Sequence, residues 1–142
     1  MSPELERQLV DKYPTLFVDY GADPSQSAMA FGFDCGDGWF DLLDTLCSQL
    51  VALDHTESGG EVQRLRARQV KQKFGTLRFY ADPASDEARA MIGFAGALSA
   101  KICERCGNKG RLRPARWVKT LCDPCAEKRD CMDEPRDRDA GL

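Results

Sequence analysis

Four cysteines near the C-terminal end, Cys103, Cys106, Cys122 and Cys125, form two C-x2-C pairs separated by fifteen residues. Two residues between paired thiols let both sulfurs face one ion from a tight turn, and two such turns complete four-coordination. The chemistry predicted is one structural zinc per chain, with every position taken by thiolate and none open to a substrate water. Gly107 and Gly110 stand where a knuckle reverses direction and its amides turn toward the sulfurs. Arg111-Leu112-Arg113, a turn at Pro114-Ala115 and Trp117 to Leu121 alternate as a short hairpin. Asp123 and Pro124 then take first-turn positions of a helix reaching about Arg129. Knuckle, hairpin and ligand-bearing helix give a treble-clef-like module over residues 102–129. Four buried, reduced cysteines would not need paired spacing twice over. A rubredoxin-type iron site prefers glycine after the second pair, where Ala126 stands. Removing the metal should unfold the module, since structural zinc supplies on the order of 10 kcal/mol to small sites.

Other groups that could do chemistry are weaker. Asp34, Asp37, Asp41 and Asp44 could hold a divalent cation, and Gln69-Val70-Lys71 faintly resembles the end of a restriction-type nuclease motif. The simpler reading makes Asp37 a helix cap and Asp41 and Asp44 a solvated face, so a metal-dependent nuclease is the minor alternative. His55 is the single histidine, placed at a helix end as a dipole partner, and no G-x-S-x-G elbow occurs. Catalysis is therefore not expected. For binding, the basic residues Arg64, Arg66, Arg68, Lys71, Lys73, Arg105, Lys109, Arg111, Arg113, Arg116 and Lys119 could meet phosphates while Trp117 or Phe79 stacks on bases. The same surface could instead grip a protein.

These residues must be positioned by a small α+β scaffold. Residues 3–13 read as a helix begun by Pro3, with Leu5, Leu9, Val10 and Tyr13 on one side. A strand is expected near Phe31 to Cys35, then Gly36-Asp37-Gly38 turns into a core helix over 39–54 with Asp37 as its N-cap. Trp39, Leu42, Leu43, Leu46, Leu50 and Leu53 keep helical spacing there, with Cys47 packed among them. Ser58-Gly59-Gly60 ends that pattern. Residues 62–80 form two antiparallel strands around a turn at Lys73-Phe74-Gly75, with Arg64, Arg66 and Arg68 sharing a face. A helix over 86–101 buries Ala88, Met91, Ile92, Ala95, Leu98 and Ile102 and delivers the chain into the knuckle. The expected organisation is an α+β core over 1–101, a small antiparallel sheet packed by two main helices, then the zinc module and a disordered acidic tail over 130–142.

A chain of 142 residues with 42% hydrophobic content can bury one core plus a metal-stapled satellite. Its charged start lacks an apolar leader segment, and no run approaches a membrane span, so a cytoplasmic protein is expected. Seven cysteines, four with metal spacing, argue for a reducing compartment and against a disulfide framework, leaving Cys35, Cys47 and Cys131 over. Net charge is −3, unevenly spread: residues 1–60 hold two basic against eleven acidic side chains, and residues 61–129 sixteen against seven. Such polarity fits either an interaction face or two halves attracting each other within one fold.

Phe33-Asp-Cys-Gly-Asp-Gly-Trp39, Val70-Lys-Gln-Lys-Phe-Gly-Thr-Leu-Arg-Phe-Tyr80 and the Cys103 to Cys125 module, in this order, resemble a group of small uncharacterised proteins from phages, prophages and bacteria. The resemblance spans roughly residues 5–126 and implies a shared fold and a mobile-element setting, with no catalytic residue to carry over. Position 34 is Asp where the group's pattern has Glu. The reading favoured is a non-enzymatic, zinc-stabilised accessory protein or inhibitor acting on a host or phage protein. Nucleic-acid binding through the basic hairpin and zinc module is the alternative.

Overall fold

The structure, a computed structural model, describes residues 1–57 and 64–132. The Ser58-Gly59-Gly60 break, the start of the expected hairpin at Val62 and the acidic tail from 133 onward lie outside the described residues, as do the side chains of His55 and Cys131. Pro3 opens helix α1 (Pro3–Lys12), with Glu4 and Glu6 in its first turn where the helix dipole favours carboxylates. Leu9 faces inward, fully buried, and Tyr13 follows it into the core.

Strand β1 (Phe33–Asp34) leads through a single tight turn, Asp37–Trp39, into helix α2 (Phe40–Glu57). Trp39, Leu43, Leu46, Cys47 and Leu50 are buried along it, the stripe that helical spacing predicts. Strands β2 (Arg66–Lys73) and β3 (Thr76–Asp82) pair antiparallel, and β1 adds to the other edge of β2 in parallel. The three-stranded sheet is thus mixed, ordered β1-β2-β3, because α2 lies between β1 and β2 and a helical crossover returns the chain in the same direction. A register shift between Ala67 and Gln69 lets Ala67 and Val70, three apart, both face the core. Phe17 joins the halves, its ring 5.1 Å from that of Phe33 and 6.4 Å from that of Phe79 in edge-on contacts.

Helix α3 (Asp86–Ser99) begins at Ser85, whose hydroxyl accepts the Ala88 amide at 3.2 Å. Ala88, Ala95 and Ser99 form its buried line, whereas Leu98, expected inside, is 36% exposed. The physical reason is close packing on β3. Small side chains admit the helix, and the Ser99 hydroxyl accepts the Leu77 amide at 2.8 Å while donating to the Gly96 carbonyl at 2.6 Å.

Beyond α3 the chain forms the cysteine knuckle, a hairpin of β4 (Arg111–Arg113) and β5 (Lys119–Leu121), and helix α4 (Asp123–Met132), in treble-clef order. Helix α4 continues three residues past the expected stop at Arg129. The architecture is α+β, with this cysteine-bearing module closing it. Among the described residues, no helix is long and apolar enough to cross a membrane.

Candidate metal centre and the cleft beside it

The C-x2-C turn before the β4–β5 hairpin and the first turn of α4 bring the sulfurs of Cys103, Cys106, Cys122 and Cys125 within 4.8 Å of one another. The sulfurs of Cys106 and Cys122 lie 3.5 Å apart. Thiolates about 2.3 Å from a tetrahedral ion lie about 3.8 Å apart along each edge, so the spacing fits one four-coordinate metal. Among the described residues this is the one group of metal-type side chains that converges. Burial pushes the Cys103 thiol up, but the amides of Cys122, Cys106 and Arg105 turned on its sulfur outweigh this and hold it at about 7. Cys125 is pushed up to about 12 by burial and by the neighbouring thiols. Four adjacent thiolates cannot coexist without a cation, and a divalent ion removes that conflict.

The Cys35-Gly-Asp-Gly-Trp39 stretch serves this module. Gly38 donates its amide to the Glu104 carbonyl at 2.8 Å, Gly36 donates to Glu104 Oε1 at 3.1 Å, and Trp39 Nε1 donates to the Ile102 carbonyl at 2.9 Å. A Cβ on Gly36 would collide with the Glu104 carbonyl, and one on Gly38 with the Cys103 carbonyl and the Gly107 amide. Both glycines are therefore required by close approach of backbone to backbone. Asp37, expected as an N-cap, instead accepts the Ser2 amide at 2.6 Å and caps no helix with its side chain.

The Phe74-Gly75 turn serves it from the other side. Both residues lie at positive φ, 53° and 82°, as a two-residue hairpin turn demands. The buried Thr120 hydroxyl of β5 donates to the Gly75 carbonyl at 2.7 Å, and a Cβ on Gly75 would lie 2.5 Å from Leu112 Cδ2 and 3.1 Å from Val118 Cγ1. Turn and hairpin then flank a cleft of about 720 Å³, lined by Asp34, Lys73, Phe74, Glu104, Arg116 and Trp117 among others. A smaller cavity of about 290 Å³ shares Met1, Gly36, Glu104 and Lys119 with it. The rings at the mouth are open to solvent, Phe74 at 69% and Trp117 at 58%.

The basic residues singled out by sequence divide sharply. Arg68 bonds Asp19 at 3.0 Å and Asp82 at 2.8 Å, and Arg66 lies 3.8 Å from Asp19. Arg113 bonds Asp123 at 2.6 Å and the Leu121 carbonyl at 3.0 Å, and Arg111 lies 3.8 Å from the same Asp123. Arg105 reaches the Cys125 carbonyl at 3.2 Å. These arginines are matched by the protein's own acceptors. Arg64 is exposed ahead of β2, Lys109 is exposed on the knuckle, and Lys71 sits mid-strand between Asp34 and Arg78 in register. Lys73, Arg116, Trp117 and Lys119 gather at the cleft, whereas Phe79, expected as a stacking surface, is buried in the core. The four aspartates are not brought together. Asp44 accepts Tyr13 and Lys12, and Asp37 accepts Ser2.

Glu104, Thr120 and Ser99 are buried polar residues that pattern reasoning missed. Each looks like surface or strand filler in one dimension, and only the partner in space reveals its role. No protein-family model, curated protein or solved structure matches the chain.

Proposed function

We propose that the chain is a zinc-stabilised binding protein with no catalytic chemistry of its own, acting on another protein in a phage or mobile-element setting within the bacterial cytoplasm. Zinc is the ion of choice for four thiolates in tetrahedral array where no redox role or open position is needed. The mobile-element setting rests on the motif resemblance. The observation that carries the binding role is two solvent-exposed aromatic rings, Phe74 and Trp117, lining one cleft whose two walls are joined by the Thr120–Gly75 bond. A few anchor residues, aromatic ones prominent among them, carry most of the binding energy of protein interfaces.

Nucleic-acid binding is the second reading, favoured by Lys73 and Arg116 beside those rings. Against it, four arginines of the basic set are already paired with carboxylates and the net charge is negative. Elemental analysis should give one zinc per chain. Affinity capture from host lysate should return a protein whose retention falls with Trp117→Ala, while gel shifts at two salt concentrations should show no tight, salt-sensitive binding. Such binding would transfer the assignment to the second reading.

A further inference from the structure

Phe74 is an unfavourable residue for its place. At φ 53° it occupies the left-handed region, which is unfavourable for a bulky L-residue and which Asn or Gly would adopt at little cost. Its ring recovers little of this by burial, being 69% exposed. Its one ring contact among the described residues is the Lys73 ammonium, 5.6 Å from the centroid. Strain spent on presenting an exposed aromatic at a cavity mouth points to a ligand rather than to the fold.

Glu104 on the cleft floor is 8% exposed, its Oε1 accepting the Gly36 amide and its Oε2 sealed beneath the surface, so the cations at the cleft, Lys73 and Arg116, are the groups left for a ligand to meet.

We infer, resting on the protein-binding reading above, that this cleft receives an extended segment of the partner protein, with an apolar side chain held against Phe74 and Trp117 and carboxylates beside it meeting Lys73 and Arg116. The volume, about 720 Å³, suits a short stretch of peptide. Lys73 and Arg116 have no carboxylate partner among the described residues, so they supply the charge complementarity. Asp34 and Glu104 on the same lining disfavour a run of phosphates.

The test uses the zinc-loaded full chain and a fluorescent synthetic peptide of glutamates around one central leucine, read by anisotropy, with labelled oligothymidine as the competing probe. The peptide should bind, and Trp117→Ala and Arg116→Glu should each weaken it about tenfold or more, whereas the exposed α3 change Arg89→Glu, away from the cleft, should leave it unaltered. Phe74→Asn should weaken binding equally while raising the melting temperature, a combination that a purely structural phenylalanine would not give. No peptide binding, or binding indifferent to Phe74 and Trp117, overturns the inference. If a captured partner protein still binds both variants, the cleft assignment alone falls. Tighter, steeply salt-dependent binding of oligothymidine overturns the protein-binding reading as well.

Discussion

Gly38 gives its amide to the carbonyl of Glu104, 2.8 Å away, and in doing so presses a turn from the first third of the chain onto the backbone between two metal-type cysteines. The approach is close enough that a methyl group at position 38 would strike the Cys103 carbonyl and lie 2.6 Å from the Gly107 amide. Gly38→Ala should therefore cost about 2 kcal/mol or more, because the obstructing atoms are backbone and cannot rotate away. Thermal unfolding checks this, and an unchanged melting temperature would refute it.

Thr120 offers a cleaner measurement, since its role rests on one hydroxyl. Thr120→Val keeps the shape but strands the Gly75 carbonyl, which should cost about 1–3 kcal/mol; Thr120→Ser retains the donor and should lose clearly less. Denaturant midpoints for the pair separate a hydrogen bond from simple packing. Equal losses would assign the effect to the methyl group.

Removal of the metal should be felt in the α+β part. Trp39 and Trp117 are the two tryptophans of the chain, so Trp117→Phe leaves the Trp39 indole, held by the Ile102 carbonyl at 2.9 Å, as sole reporter. Chelation at neutral pH, or acidification that protonates the thiolates, should red-shift its emission as the knuckle loosens. A Trp39 spectrum indifferent to a chelator that demonstrably strips the metal would mean that the module melts alone.

Asp44 predicts a pH dependence. The Tyr13 hydroxyl donates to its Oδ1 at 2.6 Å and the Lys12 ammonium lies 3.0 Å away; together they outweigh partial burial and hold its carboxyl below the ordinary range. A carboxyl depressed in the folded state adds stability above its unfolded value of about 3.9, and that stability is lost as pH falls through the lower folded value. Tyr13→Phe should raise the Asp44 midpoint toward the ordinary value and cost about 1 kcal/mol at neutral pH. Carboxyl-resolved NMR titration reads the first quantity and denaturant unfolding the second; an unmoved midpoint would discard the assignment.

Local pattern determined much of this protein. Helical spacing from Trp39 to Leu50 placed the core helix, because a stripe of apolar side chains has one way to bury. The two C-x2-C pairs placed the metal-type cluster, because thiolate coordination constrains spacing within a single turn. Leu98 was misplaced by that same logic, since periodicity registers apolar size and not the close approach to β3 that selected Ser99 instead. Only tertiary structure decided that the Gly36-Asp37-Gly38 and Phe74-Gly75 turns both exist to seat the cysteine module, and which arginines are already matched by Asp19, Asp82 and Asp123. Those relations join residues from 10 to 68 positions apart, and a hydrogen bond across such a distance leaves no period in the sequence to be read.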